Sequence, residues 1–87
     1  MASRPFGPAL VAALEERRWS QADLRRELGK RGVDVTHAAV GEWTRGLSLP
    51  SADKAALVIE LVSDGDLDLR ARLWESLALL PVGDEAA

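Results

Sequence analysis

The sequence predicts an all-α protein of five helices. Two observations carry this: apolar residues recur at three- and four-residue spacing with no sustained alternation, and turn signals fall between segments of helical length. A third observation limits the size of the answer. With 87 residues, 47% of them hydrophobic, the chain can bury one small core, so residues 1–87 are expected to form a single domain.

The first helix is expected from about Pro8, a residue suited to a first helical turn, to Arg18, with Leu10, Val11 and Leu14 on one face. Ser20 restarts the chain as an N-cap, and Asp23 completes a capping box while Trp19 packs back onto Leu24. The second helix then carries Leu24 and Leu28 and ends near Lys30 and Arg31, with Gly32 as a left-handed cap. Thr36 caps a short third helix, with Val35 stapling onto Val40, that closes at Gly46. Ser51 opens a fourth helix through about Ser63, rich in Ala, Leu, Val and Ile and suited to burial. Gly65 and Asp66 separate it from a fifth helix, Leu67 to Leu80, which Pro81 helps to end.

Composition removes several functions. There is no cysteine and a single histidine, so neither a disulfide framework, a thiolate nucleophile nor a thiolate or histidine metal cage can form. No glycine-rich phosphate loop is present, so an enzyme is not expected, and no cofactor or metal is implied. The apolar runs Pro8 to Leu14 and Ala55 to Val62 are too short to span a bilayer, which leads to the expectation of a cytoplasmic, nucleoid-associated protein with no membrane contact.

The net charge of −3 would argue against nucleic acid if it were evenly spread. It is not. From Met1 to Gly46 there are eight basic residues against six acidic, and from Leu47 to Ala87 three basic against eight acidic. Such a split either gives one face to a polyanion or reflects nothing beyond solvated helix surfaces.

Two capped helices joined by a turn have the layout of a helix-turn-helix. The run W-S-Q-A-D-L-R-R-E-L-G followed by V-T-H-A-A-V-G-E-W-T-R-G-L-S-L-P-S resembles the phage-repressor and Cro type family, often called XRE, whose fold is lambda-repressor-like. The matching positions are Ser20, Gln21, Leu24, Val40, Trp43, Gly46, Pro50 and Ser51, within a likeness that extends from Ala9 to Ser63. The resemblance implies a DNA-binding unit over residues 8–63, with the third helix in the major groove and the second across the phosphate backbone. By that match Thr36, His37, Ala38 and Glu42 face the bases, with Ala39 and Gly41 close by. His37 can meet a purine edge, Ala38 or the Thr36 methyl a thymine methyl, and Glu42 the amino group of cytosine. Gln21, Lys30, Arg31, Arg45 and Ser48 become candidates for phosphate contact.

Three departures stand out against the family pattern. Arg25 replaces a small alanine, Thr44 replaces a glutamate that pairs with a first-helix arginine, and the turn is longer by the stretch Lys30 to Asp34. Plain structural readings compete at several positions. Leu24, Leu28, Val40 and Trp43 are core under any function, Gln21 and His37 could be ordinary surface residues, and the arginine pairs 17/18 and 25/26 read as solvated faces balanced by nearby acids.

The fifth helix (within residues 66–80) supplies a second clue. Its apolar positions cover about 200° of arc, against about 100° for packing on one core. A homodimer through this helix is therefore expected, with Leu73, Trp74 and Leu77 near its centre and Leu69 and Leu80 beside them; a fully buried closing helix in a monomer is the alternative. The leading functional expectation is a sequence-specific DNA-binding regulator, a repressor reading a palindromic operator as a dimer. Its control is expected to come from concentration or from a regulatory protein partner. The alternative is a protein-interaction module, an antitoxin or adaptor, on the same fold.

Overall fold

In the computed structural model, which describes residues 5–78, the chain forms five α-helices and, among the described residues, no strand: α1 (Phe6–Arg17), α2 (Gln21–Lys30), α3 (His37–Arg45), α4 (Ala52–Ser63) and α5 (Leu67–Ala78). None of these helices is long and apolar enough to cross a membrane.

The helix starts follow from local chemistry, with two differences from expectation. Helix α1 begins at Phe6, two residues before Pro8, because Phe6 is completely buried and the proline, still within the first turn, has no intrahelical hydrogen bond to lose. It ends at Arg17, and Arg18 takes the left-handed conformation (φ 60°), while the amides of Arg18 and Trp19 close on the carbonyls of Glu15 and Leu14. Ser51 has N-cap backbone geometry for α4, yet its side chain makes no capping bond. At α5 the cap is Asp66, whose Oδ1 accepts from the Leu69 amide at 3.1 Å.

Helix α2 starts with the expected capping box. The Asp23 amide donates to Ser20 Oγ at 3.1 Å, and the Ser20 amide donates to Asp23 Oδ2 at 2.8 Å. The Ser20 amide, then the Arg26 guanidinium and the Ser20 hydroxyl, hold the Asp23 carboxyl below the usual aspartate range. Because folding lowers this pKa, the carboxylate stabilises the fold above about pH 4 and loses that effect as pH falls through the lowered value. Ser20→Ala is expected to cost about 1 kcal/mol at neutral pH, and Asp23→Asn to flatten the acid limb of the stability curve. Thermal melts across a pH series would show both, and an unchanged acid limb in Asp23→Asn would remove the carboxylate from the account.

The core is assembled around α1, which packs against α3, α4 and α5, while α2 lies on α3 and α4. Phe6, Leu10, Leu24, Leu28, Val40, Val58, Ile59, Val62 and Leu73 are all fully buried in one cluster. Trp19 packs against the edge of this cluster, and Val35 lies within it beside the α3 cap, as the stapling pattern requires. Among the described residues, exposed ion pairs between elements join Arg17 to Asp64, Arg70 to Glu60 and Arg72 to Glu16. Exposed pairs of this kind contribute little to stability.

The expected dimer face on α5 needs correction. Leu69 and Leu73 point into the monomer's own core, at 3% and 0% exposure, so neither can centre an intermolecular contact, and Leu77 packs half-buried against the same core. The reason is helical phase. Leu69, Leu73 and Ser76 fall on one side, while Leu67, Ala71 and Trp74, spaced at i, i+4 and i+7, fall on the other and are exposed. The surplus apolar arc is therefore this second stripe. Leu80 lies outside the described residues.

Candidate nucleic-acid interface

Helix α3 is short and firmly bounded. Thr36 Oγ1 accepts from the Ala39 amide at 3.0 Å at its start, and Gly46, with φ of 75°, closes its end by donating to the Trp43 carbonyl. Val40 and Trp43 anchor it in the core. Its outward side then follows from the helical period: Ala38, Glu42 and Arg45 at i, i+4 and i+7 are all exposed, with His37 exposed beside them in the first turn.

Two side chains from α2 hold this helix and its entry in place, and their sequence context alone suggests other roles for both. Gln21, a candidate for phosphate contact, donates through Nε2 to Thr44 Oγ1 at 3.2 Å, and Thr44 donates in turn to the Gly41 carbonyl at 2.9 Å. Thr44 thus completes a neutral bridge from α2 to α3. Arg25 donates from Nε to the Val35 carbonyl at 3.2 Å, immediately before the Thr36 cap. The connection between α2 and α3 places the Val35 carbonyl within reach of this guanidinium. Bonds of this type are invisible to periodicity, since each joins positions ten or more residues apart.

The remaining candidates divide into exposed and engaged groups. Lys30 is exposed and paired with Glu27 at 3.2 Å, and Arg31, the C-cap of α2, is exposed with no ion pair among the described residues. Glu42 accepts from Ser48 Oγ at 3.1 Å, which joins two predicted site residues into one polar unit. Ala39 is half-buried against the core, so it lies beneath the candidate face and not on it. Gly41 is buried, and the space above it is filled by the Arg45 guanidinium, whose Nη1 would lie 3.0 Å from an added Cβ. What closes over Gly41 is thus its own neighbour one turn on, and Gly41 does not itself present a surface.

Among the described residues no group of histidine, aspartate and glutamate side chains is placed to hold a metal ion. No protein-family model, curated protein or solved structure matches the chain.

Proposed function

We propose that the protein is a sequence-specific DNA-binding regulator with a helix-turn-helix formed by α2 and α3, acting as a homodimer. The observation that carries this reading is the presentation of α3: a capped helix, anchored by Val40 and Trp43, bridged twice from α2, with His37, Ala38, Glu42 and Arg45 outward. A helix entering the major groove needs this combination of a fixed axis and small or hydrogen-bonding side chains on the free face. The basic excess of the Met1–Gly46 half supports phosphate contact, and its small size favours two subunits acting together. The second copy would be held by the exposed α5 stripe of Leu67, Ala71 and Trp74.

Selection from a random-sequence duplex pool tests the reading. Enrichment of a palindromic site is expected, with affinity falling as salt rises. His37→Ala, at an exposed position, should lose about 1–3 kcal/mol of discrimination at the base it meets, whereas Arg45→Ala, a phosphate-contact candidate, should weaken binding to all sequences alike and lower the salt slope by about one unit. Negligible, unselective binding at low salt would overturn the proposal in favour of a protein-interaction module.

A further inference from the structure

The close of α3 brings Ser48 back beside the turn that carries Glu42. Gly46, in the left-handed conformation, donates to the Trp43 carbonyl at 3.2 Å, and the Leu47 amide donates to the carbonyl of Glu42 itself at 2.9 Å. On the far side, Leu49 packs against the core and Pro50 is buried. Ser48 is therefore held between two fixed stretches of backbone, and its hydroxyl donates to Glu42 Oε1 at 3.1 Å. Glu42 Oε2 keeps no partner among the described residues. Arg45, three residues on, lays its guanidinium back over Gly41 and forms no ion pair with Glu42 among the described residues, so the carboxylate is not neutralised.

We infer that Ser48 is a positioning residue for base recognition: it aims the Glu42 carboxylate at the amino group of a cytosine and does not itself contact phosphate. An ionised carboxylate only accepts hydrogen bonds, so on a face turned to a polyanion it must meet a donor. The base donors in the major groove are the amino groups of cytosine and adenine. Adenine places the N7 acceptor beside its amino group, whereas cytosine presents the donor alone. With Oε1 taken by Ser48, the one remaining oxygen of Glu42 suits a single donor. A free glutamate side chain loses rotamer freedom when it binds, and the Ser48 bond orders it before DNA arrives. The inference rests on the DNA-binding reading and adds a specificity determinant outside α3, at a position for which the family resemblance implies phosphate contact.

The test is competition binding, with the duplex that the wild-type protein enriches from a random pool set against its single-base variants. Glu42→Ala should lose preference at one position of each half-site, on the order of tenfold, and so identify the base that Glu42 meets. Ser48→Ala should weaken the preference for cytosine at that same position by about threefold to tenfold, with the other positions and the salt slope unchanged. Ser48→Thr, which keeps the hydroxyl, should retain the wild-type preference. In a Glu42→Ala background, Ser48→Ala should add nothing. Melting curves accompany each variant and should stay close to wild type, since the contact between the two side chains lies at the surface. A uniform loss across all sequences in Ser48→Ala would return Ser48 to the phosphate backbone. That result, an unchanged preference in Ser48→Ala, no single-position loss in Glu42→Ala, or a base other than cytosine at the position lost would each overturn the inference and leave the DNA reading standing. Selection of no sequence by the wild-type protein would overturn both.

Discussion

Leu73→Ala is expected to lower the free energy of unfolding by about 2–5 kcal/mol, whereas Trp74→Glu, one residue along, leaves the folded monomer intact. Leu73 is fully buried among residues of α1 and α4, so truncation removes its transfer free energy and leaves a cavity that a small core cannot close. A domain of this size has about 5–15 kcal/mol in total, which makes the loss a large fraction of what holds it together. Trp74 is 39% exposed on the opposite side of the helix, and a carboxylate there meets water in the monomer. In the homodimer reading the same carboxylate would be forced into an apolar contact, so sedimentation should show Trp74→Glu as a monomer at concentrations where wild type is a dimer. Denaturant titration and sedimentation together give the answer: a mild Leu73→Ala and an unfolded Trp74→Glu would mean that the phase of α5 is reversed. A folded Trp74→Glu with unchanged mass would remove the exposed stripe from the interface.

Gly7→Ala is expected to destabilise by about 1–3 kcal/mol, although alanine is the better helix former. An added Cβ would lie 2.8 Å from the Gly46 amide nitrogen, and 3.0 Å from both the Gly46 Cα and the Trp43 carbonyl oxygen. All three are backbone atoms at the end of α3, so no side chain can swing aside and the helices themselves must separate. The contrast with Gly41 sharpens the test. There the nearest atom is the tip of the flexible Arg45 side chain, and Gly41→Ala should be neutral or stabilising, since propensity favours it by about 1 kcal/mol. Chemical denaturation of the two variants side by side checks the prediction; equal effects would show that α1 does not approach α3 as closely as described.

Much of the fold was legible because its punctuation is local. The Ser20–Asp23 box, the Thr36 cap and the left-handed Gly46 each depend on residues within one turn, and all three are found where the sequence indicates. Asp66 carries an equally local signal, an acidic residue three before Leu69, although Gly65 beside it also marks the pair as a spacer between helices. The α5 faces were harder. A wide apolar arc announces that more than one side is apolar, but which side meets α1 and α4 depends on the azimuth at which α5 docks, and no spacing within α5 encodes it. The candidate site was legible at its exposed positions, His37, Ala38, Glu42 and Arg45, which follow from the period once Val40 and Trp43 are inward. Gln21, Arg25 and Gly41 could not be placed in advance, because their surroundings are made by residues that only tertiary packing brings near.

The position of α1 at the hub of the core sets a schedule for synthesis. Its buried residues from Phe6 to Leu14 are made well before Leu69 and Leu73, which pack against α1 in the same core. At about 5–20 residues per second the ribosome takes on the order of 3–12 s to travel from Leu14 to Leu73. For that interval α1 has α3 and then α4 to lean on but no lid, and its apolar side remains open to whatever binds nascent chains.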